Sequence, residues 1–212
     1  MKELRLIITI LIGSVILFSC EEKNERLPIL GQHDFDTEYV DGVLKTDTLY
    51  YSLPDFVFTD QNGQPFNEKA VDNKIYVADF FFTSCPTICP KMSKNMLKMA
   101  KKYEQNDGVL FLSHSIDTRF DSVPVLKKYS EKLNAPDNWF FVTGEKDDIF
   151  GIAAKYMVSA GEDPHAPSGV VHSGAFILLD GKRRIRAYYD GTKVDEMEKL
   201  EKDIESLLKE NG

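Results

Sequence analysis

The sequence predicts an α/β domain built on a mixed β-sheet. Three observations carry this prediction. Ile75 to Phe82 is a largely apolar run rich in aromatic and β-branched residues, which reads as a buried strand. Ile88, Met92, Met96, Met99 and Tyr103 then recur at spacings of three or four, which reads as a helix. Strand-like and helix-like stretches alternate from there to the C-terminus around a hairpin-rich frame. Cys85 and Cys89 stand at the first strand-to-helix junction.

The chain has 212 residues, a net charge of −8 and 42% hydrophobic residues, which fits one globular domain plus a tail and argues against nucleic-acid binding. Lys2 and Arg5 precede an apolar run from Leu6 to Phe18 that is too short to span a bilayer comfortably. The run ends in Leu17-Phe18-Ser19-Cys20, which resembles a bacterial lipobox. Residues 1–19 are therefore expected to be a signal peptide, with Cys20 the lipidated residue. The expected location is the cell envelope, with the protein anchored in a membrane and facing the periplasm. A plain signal anchor with an incidental Cys20 is the alternative. Residues 20–52 read as a polar linker broken by Pro28, Gly31 and Gly42, with a local strand near Thr48 to Tyr51. His33, in this linker, is given no role.

Residues 53–212 are expected to form the folded domain. Phe56 to Phe66 reads as a hairpin with Asn62-Gly63 as its turn. Lys74 to Phe82 is the central strand, and Pro86 to Glu104 the helix after it. Pro86 suits a first helical turn, whereas Pro90 is expected to bend the helix start. Val109 to Ser115 is a second buried strand. Pro124 to Leu133 and Asp147 to Met157 are helical and flank a short strand at Trp139 to Val142. Gly161 to Gly169 is a loop. His172 to Leu179 and Ile185 to Tyr189 are strands joined by an Asp180-Gly181 turn, and Val194 to Lys209 is a final amphipathic helix.

The cysteines carry the chemistry. On a helix, residues four apart put both thiols on one face, one turn apart. At a helix N-terminus, unpaired N–H groups and positive potential favour thiolate over thiol. Two such sulfurs suit redox chemistry or a soft metal. A purely structural disulfide is the weaker reading, because so short a loop constrains the unfolded chain little.

Thr83-Ser84-Cys85-Pro86-Thr87-Ile88-Cys89-Pro90, followed far downstream by Val171-His172-Ser173, resembles the Sco/SenC family of copper-handling proteins. The resemblance covers roughly Leu53 to Leu207. It implies a thioredoxin-like fold, with a central mixed sheet flanked by helices and an N-terminal hairpin. It also implies one copper held by Cys85, Cys89 and His172. The implied role is copper chaperone, thiol reductant or both, serving the binuclear copper site on the copper-site subunit of cytochrome c oxidase. In the segment Asp117-Thr118-Arg119-Phe120-Asp121 the proline usual after the first aspartate is Thr118, and the arginine is displaced to Arg119; neither aspartate is assigned a metal role.

Two thiolates and one imidazole independently suit copper in either oxidation state. Zinc would want a fourth ligand, for which His165 is a candidate. Met92, Met96 and Met99 read as core filler at helical spacing. His114 is treated as structural. Two redox alternatives use Cys85 and Cys89 as catalytic residues: an extracytoplasmic thiol–disulfide oxidoreductase, and a thiol peroxidase for which no activating arginine is evident. Three residues intervene between the cysteines rather than two, and no proline directly precedes His172, which separates the chain from general thioredoxins.

Overall fold

The computed structural model describes residues 26–163, 165, 166 and 169–211. The expected signal peptide and Cys20 lie outside the described residues. A seven-stranded mixed sheet forms the body of the domain. Its strands are β3 (Val57–Asp60), β4 (Pro65–Asn67), β5 (Ile75–Phe81), β6 (Val109–Ser115), β7 (Trp139–Thr143), β10 (Ala175–Leu179) and β11 (Ile185–Asp190), in spatial order β11-β10-β5-β6-β7-β3-β4. The pairs β5–β6 and β6–β7 are parallel, and the outer pairs are antiparallel. Four helices complete it: α1 (Cys89–Lys102), α2 (Val123–Leu133), α3 (Lys146–Lys155) and α4 (Val194–Asn211). This is the thioredoxin-like arrangement implied by the sequence.

The central strands explain the sequence pattern. Every residue of β5 and β6 is buried, because helices cover both faces of a parallel core. Met92, Met96 and Met99 fill that core from α1, as expected of their helical spacing. The Phe56–Phe66 hairpin forms as β3–β4. Asp60 shapes its turn by accepting the backbone N–H groups of Asn62 and Gln64, both at 2.8 Å, and Gly63 supplies the positive φ.

Three expectations are corrected. First, the linker contains a second hairpin, β1 (Asp34–Val40) with β2 (Val43–Leu49), where only a local strand near Thr48 to Tyr51 was expected. Gly42 is its turn and not a breaker: Asp41 and Gly42 have φ of 52° and 78°, the double left-handed geometry that fits the strand twist. Second, His33 is not merely solvated. Its Nδ1 accepts the Tyr51 N–H and its Nε2 meets the Ile29 carbonyl, each at 3.1 Å, so it ties the two ends of this hairpin together. Third, the strand expected from His172 to Leu179 is two strands. β9 (Val170–His172) pairs with β8 (Ala160–Glu162) in a separate ribbon, and β10 begins after Ser173-Gly174. Ser173 donates its N–H to Ser159 and Gly174 accepts that of Gly191, so consecutive residues are committed to different neighbours.

Residues 27–30 are docked on the sheet. The Arg186 guanidinium, 4% exposed, donates to the Leu27 and Pro28 carbonyls, to Asp180 and to Glu210. Leu30 donates its N–H to Ile185, and Leu53 donates to Arg183 after the hairpin. The chain is thus pinned at the β10–β11 turn before and after β1–β2.

Asp79, on β5, is 3% exposed, and its Oδ1 has no partner. Burial raises its carboxyl from 3.8 to about 7, and Ser113 opposite offsets this only in part. The folded state therefore keeps a proton that the unfolded chain releases above about pH 4. Stability must fall as pH rises from about 4 to about 7, and stay low above that. Asp79→Asn is expected to be near neutral at about pH 4 and to stabilise by about 4 kcal/mol at about pH 8. Urea denaturation at the two pH values reads the difference; an equal effect at both would mean that the carboxyl is ionised in the fold.

Candidate metal centre

Cys85, Cys89 and His172 meet at the carboxyl end of β5. Their Sγ and imidazole nitrogen atoms lie within 4.8 Å of one another. Helix α1 begins at Cys89, with Ile88 as its cap, rather than at Pro86. Cys85 therefore sits in the preceding turn, where its N–H donates to Phe82, and the two thiols do not share a helical face. Proline disfavours the helical conformation in the residue before it, so Pro86 keeps Cys85 out of the helix. Pro90 falls in the first turn, where its missing N–H costs no helical bond, and the bend expected from it has no cause.

His172 arrives from the β8–β9 ribbon. Its Nδ1 lies 2.8 Å from the Ser173 carbonyl, which can only accept, so Nδ1 carries the proton and Nε2 the lone pair. That Nε2 faces the Cys89 Sγ at 3.3 Å. Burial also lowers the imidazole pKa, outweighing the Ser173 bond, so the ring is neutral. Phe82 stands edge-on to the ring, with centroids 5.8 Å apart.

The thiols differ in acidity. Burial raises the Cys85 pKa, but bonds from Cys89 and Thr87 outweigh it and hold the thiol below its ordinary value. Burial drives the Cys89 thiol far upward, and the neighbouring Cys85 adds to the shift. The expectation that the helix N-terminus activates both thiols therefore holds in direction for Cys85 alone; at Cys89, 2% exposed, desolvation wins. Cys85 lines an apolar cleft of about 180 Å³ together with Phe82, Pro86, Ile88, Val170 and His172; Cys89 does not reach it.

The donor set fits a soft metal. Ligands on one ion at ordinary bond lengths stand roughly 3.5–4 Å apart, so these three need only a small contraction. An imidazole with its other nitrogen bonded to a carbonyl is the usual form of a metal-binding histidine. Among the described residues no fourth His, Cys, Asp or Glu joins the cluster. His165 is exposed, its N–H bonded to Asp163, and it lies outside the cluster. His114 is fully buried among Phe58, Phe80 and Tyr156, which agrees with a structural role.

Sequence reasoning missed Asp121 as a positioning residue. Its carboxylate, fully buried, accepts the Thr83 N–H at 2.9 Å, the Thr83 hydroxyl at 2.5 Å and the Ser115 hydroxyl at 2.6 Å. It fixes the backbone two residues before Cys85. The signal was the pairing of Asp117 with Asp121 just after a buried strand. Asp121→Ala leaves one buried and two half-buried donors without their acceptor and is expected to cost about 3 kcal/mol. Thermal denaturation checks this, with Asp117→Ala as the comparison: equal, small losses for both would remove the positioning role.

The SCO1/SenC family profile matches residues 46–209. Among solved structures, a SCO1/SenC family lipoprotein from Bacillus anthracis is 31% identical, with a TM-score of 0.68 over 74% of this chain and 95% of its own. BsSco, described as a member of the Sco family of cytochrome c oxidase assembly proteins with a disulfide switch, is 29% identical, with a TM-score of 0.65 over 74% and 93%. Yeast Sco1 with copper bound is 26% identical, with a TM-score of 0.60 over 74% and 90%. Profile, fold and the convergence of Cys85, Cys89 and His172 agree, and the chain belongs to the SCO1/SenC family.

Proposed function

We propose that this protein binds one copper ion as cargo through Cys85, Cys89 and His172 and serves assembly of the binuclear copper site of cytochrome c oxidase. The observation that carries the reading is the convergence of two sulfurs and an imidazole Nε2 with its lone pair turned toward them. Soft thiolates with one nitrogen suit both copper oxidation states, and among the described residues no fourth His, Cys, Asp or Glu joins the cluster to complete a structural zinc site. The copper bound to yeast Sco1 and the oxidase-assembly role given for BsSco support the same reading.

The unequal acidities of the thiols favour a second, compatible role in thiol–disulfide exchange. Cys85 is the more acidic and lines the cleft, so it would attack one sulfur of a partner disulfide and release the other as a thiolate. Cys89 would then displace the partner from the mixed disulfide. The partner leaves as a dithiol, and Cys85 and Cys89 leave as a disulfide. That disulfide cannot hold copper, so redox state would gate the cargo.

Residues 1–19 are assigned as a signal peptide, 20–52 as the lipid-anchored N-terminal linker and 53–212 as the copper-binding domain, in the cell envelope and facing the periplasm. Among the described residues no helix is long and apolar enough to cross a membrane, and attachment is assigned to the lipid at Cys20. The Bacillus anthracis relative is itself a lipoprotein.

Reduced protein is expected to bind about one copper per chain. His172→Ala should weaken copper binding at least tenfold and still form and reduce the Cys85–Cys89 disulfide. Copper titration with thiol counting on this variant tests both roles. Unchanged copper affinity would leave a dithiol redox protein as the better account. Mature protein is expected to begin at a lipidated Cys20, and Cys20→Ala to lose membrane attachment; an unmodified Cys20 in intact-mass spectra would remove the anchor.

A further inference from the structure

The β1–β2 hairpin has one face without a charge. Its register pairs Phe35 with Thr48, Thr37 with Thr46 and Tyr39 with Leu44, and paired residues share a face. The opposite face carries Asp34, Asp36, Glu38, Lys45 and Asp47, with Leu49 at its open end and Val40 and Val43 beside the turn. The strands form a sheet of their own, and every residue in them except Val40 is exposed. Phe35 is 67% exposed, Tyr39 76% and Leu44 54%. A lone hairpin is marginally stable in water, and an aromatic patch of this kind marks a contact surface.

Its place in the chain says what that surface meets. The hairpin rises from one corner, since Leu27 and Pro28 are held by Arg186 and Leu53 by Arg183. This inference rests on the lipid at Cys20. Only residues 21–26 then separate the anchor from the fixed Leu27, a stretch that reaches at most roughly 25 Å. Strands of seven residues are about 24 Å long, so the hairpin is about as long as the farthest that the anchor can lie from Leu27.

We propose that the uncharged face of the hairpin, through Phe35, Tyr39 and Leu44, lies on the zwitterionic headgroup interface of the membrane that holds the anchor. Aromatic side chains suit that interface, and the carboxylates on the opposite face stay in water. A basic protein partner would engage the acidic face instead and leave the aromatic face uncovered.

The test uses the full lipidated chain in phosphatidylcholine vesicles with brominated acyl chains. Trp139 is the single tryptophan and is 1% exposed, which makes it an internal reference. Phe35→Trp emission is expected to be quenched at least twofold more than that of Trp139, and Lys45→Trp emission on the opposite face no more than the reference. Vesicle-bound protein with unquenched Phe35→Trp emission overturns the docking and leaves the anchor intact. A blue shift without quenching that grows with surface density gives the face to a second copy, and also overturns it. Protein that does not float with the vesicles removes the anchor, and the docking geometry with it.

Discussion

The Asp121 carboxylate is the contact on which the site depends. It ties Thr83, just past the end of β5, to Ser115 at the end of β6. The turn that follows carries Cys85, so the first sulfur is placed by a bond to a neighbouring strand. Cys89 is placed by the start of α1 and His172 by a separate ribbon. Three structural units each supply one donor. A shift of any one against the others would open the cluster, and the fully buried Asp121 side chain holds the Cys85 turn against such a shift.

Burial sorts the two thiols into different roles. The same helix terminus lies near both, yet Cys89 is desolvated and Cys85 is hydrogen-bonded at the wall of a cleft. A dithiol split in this way has one entry point for a partner thiol or metal and one sulfur that closes the reaction from behind. Under the proposed function, copper binding and disulfide formation would use the same two atoms, so the two roles would exclude each other at any one moment.

At the opposite end of the chain, Arg186 does for the N-terminal segment what Asp121 does for the site. One buried ionic group holds four polar partners and fixes where residues 27–30 run.

The sequence by itself determined the alternation of elements, the Asn62-Gly63 hairpin, the buried β5 and β6 and the methionine-filled face of α1. Each rests on local periodicity or turn chemistry, which is readable in a single chain. It also named Cys85, Cys89 and His172, through a motif whose halves lie 83 residues apart. The β1–β2 hairpin was legible in principle, since Asp41-Gly42 and the alternation Phe35-Thr37-Tyr39 are both present. The signal is weak because neither face is buried in the domain, and threonine stands where apolar residues usually mark the period. Only the tertiary structure decided that His172 ends a ribbon apart from the main sheet, that Asp121 holds the Cys85 turn, and that Cys89 loses the acidity its helix position favours. These are outcomes of burial and of bonds between residues distant in sequence, and desolvation depends on neighbours that no local pattern specifies.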